Sequence, residues 1–84
     1  MQLANLLCSL RQKLLTAWNT NNQQELADLM TAFSVMREAS YPLQDSQLTV
    51  IMVALEDATR DALGGFQSKG EIPSVEQIQA ACQS

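Results

Sequence analysis

Histidine is absent from this 84-residue chain, and aromatic residues make up only 5% of it. Without histidine, the commonest general base and the serine–histidine–carboxylate triads are missing. The two cysteines, Cys8 and Cys82, form no CxxC pair, so a structural zinc site is not expected either. The sequence therefore predicts a protein that is not an enzyme and that uses no metal or cofactor.

Cys8 and Cys82 lie near opposite ends of the chain. A disulfide between them requires the first and last helices to lie side by side, and the sequence leaves open whether they are ever oxidised. We interpret both as reduced thiols that pack as small apolar residues, since free cysteine is among the most buried residue types.

Basic residues are also scarce. Five Lys and Arg stand against nine Asp and Glu, giving a formal net charge of −4. Because binding to nucleic acid needs clustered Lys and Arg, we do not expect nucleic acid as a ligand. Six of the acidic residues crowd the second half of the chain: Asp45, Glu56, Asp57, Asp61, Glu71 and Glu76. We interpret them as parts of solvated helix faces. The functional alternative is an acidic surface that binds a basic partner.

Long hydrophobic runs are missing as well, and none approaches the ~20 residues of a membrane span. Residues 1–18 do not resemble a signal peptide, because Arg11 and Lys13 follow the apolar stretch instead of preceding it. We therefore expect a cytoplasmic protein that makes no membrane contact.

The chain does contain helical periodicity, which is densest between Asp45 and Phe66. Seven apolar residues in this stretch recur at spacings of three and four and share one helix face: Leu48, Ile51, Met52, Leu55, Ala58, Ala62 and Leu63. Gly64 and Gly65 follow where a helix ends on a left-handed residue, and Phe66 is placed to fold back onto that cap. The start of this third helix is left open within residues 41–47.

Two helices are predicted before it. The first spans residues 2–18, and its leucines follow the spacing of a short heptad seam. The second opens with a capping box at Asn22 and Glu25 and runs to about Ala39. The connection between these helices is so short that it predicts an antiparallel hairpin.

A fourth, short helix is predicted near the end of the chain, from Val75 to Cys82. Ser74 and Gln77 have the spacing of a second capping box at its start. The predicted fold is an all-α antiparallel helical bundle of three main helices plus a short C-terminal fourth helix, forming a single domain over residues 1–84.

Charged residues on the second and third helices have simple interpretations. On the third helix, we expect a solvated acidic face in which Asp57 or Glu56 forms an ion pair with Arg60. Arg37, near the end of the second helix, is interpreted as a complement to the helix dipole.

The first and third helices carry more apolar surface than one neighbouring helix covers. Five residues are therefore predicted to bind a partner: Leu15, Trp18, Val50, Val53 and Ala54. Trp18 is either a lid on the core or an interface anchor, since tryptophan contributes strongly at interface hot spots.

The leading functional prediction is a small acidic protein-binding module, meaning an adaptor, chaperone or inhibitor that buries an amphipathic segment of another protein. A homo-oligomeric structural or assembly protein is the alternative. A weaker alternative is an acidic decoy that inhibits a nucleic-acid-binding protein. In size, acidity and helical-hairpin pattern, the chain resembles the small export chaperones of flagellar and type III secretion systems. This resemblance is one of composition and assigns no role to any residue.

Overall fold

Four α-helices occupy the parts of the chain that the computed structural model describes, residues 3–40, 46–65 and 72–83. They are α1 (Leu3–Thr20), α2 (Gln23–Ser40), α3 (Ser46–Leu63) and α4 (Val75–Gln83). No strand occurs in these three ranges. The helices pack into a compact bundle, which confirms the predicted all-α fold with three long helices and one short one.

The corner between α1 and α2 consists of two asparagines. Asn21 has a left-handed backbone with φ of 52°. The backbone N–H of Asn21 donates to the carbonyl oxygen of Trp18 at 3.2 Å, and the backbone N–H of Asn22 donates to that of Ala17 at 2.9 Å. These two bonds end α1 in a Schellman motif. Asn22 then caps α2, because its Oδ1 accepts from the backbone N–H of Glu25 at 3.1 Å. Asn22 therefore serves both helices, and the N-cap half of the predicted capping box is present.

Local chemistry also sets the end of α3 and the start of α4. Gly65 has φ of 83°, and its N–H donates to the carbonyl oxygen of Ala62 at 3.2 Å, which is the predicted left-handed cap. The predicted contact of Phe66 with this cap lies outside the described residues. Ser74 and Gln77 make both bonds of their capping box, at 2.8 and 3.1 Å.

All four helices contribute to one hydrophobic core, and α2 and α3 share the largest interface. Buried apolar side chains from the four helices form it: Leu7, Leu14, Ala17, Leu26, Leu29, Phe33, Leu48, Ile51, Met52, Leu55, Ala58, Ala62, Ile78 and Ala81. Six of the seven residues predicted for the core face of α3 are among them. The seventh, Leu63, is partly buried and packs against the others.

The short helix α4 is held on the bundle by packing and by one long-range hydrogen bond. Nine residues are too few for a stable isolated helix, so α4 depends on its contacts. Its Ile78 is fully buried, and Ala81 is 4% exposed. Just before α4, the carbonyl oxygen of Pro73 accepts from Nε of Arg11 at 2.7 Å. This bond joins α1 to the entry of α4, and local sequence patterns did not predict it.

Cys8 and Cys82 are both thiols in this structure, and no disulfide joins them. Each is partly buried and packs against the hydrophobic core. This agrees with their interpretation as small apolar residues.

Truncating Leu55 tests the position of the core. We expect Leu55→Ala to lower the free energy of unfolding by about 2–4 kcal/mol, because the fully buried side chain leaves a cavity. Urea denaturation of both proteins measures the difference. Val50→Ala is the matched control on the same helix, and its effect should stay within about 0.5 kcal/mol since Val50 is exposed. Equal effects of the two changes would contradict the placement of Leu55.

Candidate partner-binding surface

An open groove lies between the first half of α3 and the second half of α4. Its volume is about 380 Å³, and six residues line it: Gln47, Val50, Ile51, Gln77, Ala80 and Ala81. Ile51 and Ala81 are core residues, so they form an apolar floor, while the two glutamines are exposed. We call this feature the α3/α4 groove. None of these six described residues is charged, so the groove they line suits an apolar group flanked by hydrogen-bonding groups.

The exposed valines of α3 follow from the composition of that helix. In the first half of α3, apolar residues extend almost all the way round, and the core covers only one side. Val50 is 65% exposed and Val53 is 36% exposed, whereas Ala54 is half-buried. Val50 and Ala54 lie one turn apart on the same face, with Val53 beside them. The structure therefore groups these three predicted residues on one surface, of which Val50 lines the groove.

The predicted residues of α1 lie elsewhere. Leu15 and Trp18 are both half-buried, and Trp18 packs against the core. Leu15 follows Cys8 and Arg11 at helical spacing, on the flank where Arg11 bonds to the entry of α4. Neither Leu15 nor Trp18 lines the groove. Their partner-binding role stays a prediction that is separate from the α3 surface.

A buried carboxylate sets the orientation of α3 against α2. Glu56 is only 5% exposed. The hydroxyl of Ser34 donates to Oε2 of Glu56. Nε of Arg37 donates to Oε1 at 2.8 Å, and Nη2 of Arg37 donates to Oε2 at 3.4 Å. Both donors come from one turn of α2, so a single face of that helix satisfies the carboxylate. We call this set the Glu56 clamp.

The Glu56 clamp corrects two predictions. Glu56 is not part of a solvated acidic face, because α2 covers it and supplies its partners. Arg37 does more than complement a helix dipole, since it forms the ion pair that this buried carboxylate requires. The other half of the ion-pair prediction is right: Asp57 and Arg60 pair at 2.8 Å on the exposed side of α3.

The partners of Glu56 determine its charge state. Burial raises the pKa of Glu56, but hydrogen bonds from Ser34 and Arg37, together with the charge of Arg37, lower it by more. The net pKa therefore lies below the ordinary value of 4.5. The hydrogen bond to Glu56, followed by the attraction of its charge, raises the pKa of Arg37. At neutral pH the clamp is an ion pair.

Two parts of the exposed surface were missed by the sequence prediction. One is the wall of the groove on α4, which consists of Gln77, Ala80 and Ala81. Its position depends on how α4 docks on the bundle, and hydrophobic periodicity does not predict that docking. Val35 on α2 is 59% exposed although it was not singled out. In the sequence, its exposure is indicated only by its position away from the apolar face of α2. Val35 does not line the α3/α4 groove.

The described residues form neither a metal site nor a membrane span. Among the described residues, no three His, Cys, Asp or Glu side chains group closely enough to hold a metal ion. None of the described helices combines the length and apolar character needed to cross a membrane. A second hollow of about 260 Å³ lies between α1 and α2, and residues with polar side chains form most of its described lining.

Comparison with protein-family models, with curated proteins and with solved structures gives no match for this chain.

Acidification tests the Glu56 clamp. Because the pKa of Glu56 is lower in the folded state than in the unfolded state, the clamp stabilises the fold above the ordinary value of 4.5 and loses this effect as pH falls through the folded pKa. We expect Glu56→Gln to lower the free energy of unfolding by about 1–3 kcal/mol at neutral pH. The difference from the wild type should shrink as the pH falls below 4.5 and through the lowered pKa of Glu56 in the folded state.

Urea denaturation at several pH values measures both effects. Asp57→Asn is the matched control, because it removes an exposed ion pair on the same helix and should change stability by less than about 1 kcal/mol. A difference between wild type and Glu56→Gln that does not vary with pH would contradict the role given to the carboxylate charge.

Proposed function

We propose that this chain is a non-enzymatic protein-binding module that buries an amphipathic segment of another protein. The observation that supports it is the α3/α4 groove, which has an apolar floor and uncharged walls. Val50 stands at its edge, 65% exposed on a helix whose opposite side fills the core. Adaptors, chaperones and inhibitors share this mode of burial.

The size of the groove limits what the module binds. Full burial of a valine side chain contributes about 1.5–3 kcal/mol, so Val50 and Val53 together supply a modest gain. A groove of about 380 Å³ receives only a few side chains. Helices that bind in grooves present such side chains at spacings of three, four and seven. We therefore propose a single helical segment as the occupant, in a small interface of the transient class.

The experiment compares two variants that introduce the same charge at exposed valines. Val50→Asp alters the groove edge, whereas Val35→Asp alters a similarly exposed position on α2, at 65% and 59% exposure respectively. Tagged wild type and both variants serve as baits in a pull-down from the native source. We expect one foreign protein in stoichiometric amount with the wild type and with Val35→Asp, and its loss with Val50→Asp.

Other outcomes separate the alternatives. Retention of the same protein by both variants would place its binding site outside the groove. A bait that retains only further copies of this chain would favour the homo-oligomeric alternative. A charge-only decoy would keep its partner when Val50 is replaced by aspartate, because its binding does not depend on apolar burial.

A further inference from the structure

We propose that the occupant of the α3/α4 groove is a basic amphipathic helix of another protein, whose Lys or Arg side chains meet Asp61 and Glu76. This inference rests on the proposed function, and it adds the charge and the spacing of the partner.

The first support is the charge along α3. Val50, Ala54, Asp57 and Asp61 recur at spacings of four, three and four, so they form one stripe on the helix surface. The stripe begins apolar at the groove, becomes acidic at Asp57 about 10 Å further along the helix, and reaches Asp61 at about 16 Å. Asp57 is already paired with Arg60 at 2.8 Å. Among the described residues, no cation lies within ion-pair distance of Asp61.

The second support is the charge on α4. Glu76 is the only charged residue of that helix, and it is exposed. It lies one turn before Ala80, which lines the groove. No described Lys or Arg forms an ion pair with Glu76. Each of the two helices that form the groove therefore carries an acidic side chain that pairs with no cation in ranges 3–40, 46–65 and 72–83.

Only one helix of the chain has the opposite charge. α2 and α3 each carry three acidic residues against one arginine, and α4 carries only Glu76. α1 has Arg11 and Lys13 and no acidic residue, but Leu7, Leu14 and Ala17 of its apolar side are buried in its own core, and Arg11 already bonds to Pro73. In a second copy, α2, α3 and α4 would bring like charges to the groove and the core would hold most of the apolar side of α1, which disfavours a second copy as the occupant.

These positions specify the partner segment. It is a helix of at least about 12 residues with an apolar side chain that enters the groove beside Val50. Its cationic side chains lie on the same face, about two to three turns from that apolar residue, where they reach Asp61. Each exposed ion pair contributes little to the binding free energy. The ion pairs therefore act mainly on specificity, because they favour a basic amphipathic helix over other amphipathic helices.

The test uses two synthetic helical peptides with identical apolar residues, one with Lys and one with Glu at its polar positions. Each is titrated into the full chain by calorimetry. We expect the Lys peptide to bind about tenfold more tightly than the Glu peptide. Asp61→Lys should weaken binding of the Lys peptide about fivefold. Asp28→Lys makes the same charge change on α2, away from the groove, and should change binding less than about twofold.

Four results would overturn the inference. If both peptides bind equally and Val50→Gln abolishes both, the groove is an apolar site without charge preference, and the proposed function stands. If Asp28→Lys acts as strongly as Asp61→Lys, the attraction is a property of the whole acidic chain. If Val50→Gln leaves binding of the Lys peptide unchanged, both the inference and the groove assignment fail. If neither peptide binds, the partner is not a helix of this kind.

Discussion

The ion pair between Glu56 and Arg37, completed by the hydroxyl of Ser34, fixes which side of α3 faces inward. A buried carboxylate is costly unless cations and hydrogen bonds compensate it, and these partners lie on one face of α2. Only one rotation of α3 brings Glu56 to them. That rotation also places Leu55 in the core and turns Val50 outward. The exposed apolar surface follows from this rotation, because the first half of α3 is apolar on nearly all sides.

The groove needs α4 as well as α3. Burial of Ile78 and the bond from Arg11 to Pro73 hold this short helix against the bundle. Small alanines on α4 face Val50 and Ile51 of α3, and a space of about 380 Å³ lies between them. The apolar floor, the amide edges and the nearby carboxylates Asp61 and Glu76 are the features from which we propose a partner helix that is apolar on one side and basic beside it.

Local rules predicted what depends on local chemistry. Spacings of three and four identified the core face of α3, and capping chemistry identified Asn22, Gly65 and the Ser74–Gln77 pair. These local rules do not predict contacts between residues that are far apart in the sequence. Arg37 and Glu56 are 19 positions apart, so the helical rule that correctly paired Asp57 with Arg60 gave no sign of them. Val50 was predicted as a partner-binding residue because it does not lie on the core face of α3. Predicting the groove wall on α4 would have required knowing where that helix docks.

We propose that another protein covers the outward face of α3. Light scattering of the purified chain over a wide concentration range separates this proposal from self-association, which would fill the same apolar surface. We expect the mass of one chain throughout, since the acidic α2, α3 and α4 of a second copy would be repelled at the groove. A stable dimer that persists in Val35→Asp and dissociates in Val50→Asp would instead assign the groove to self-association.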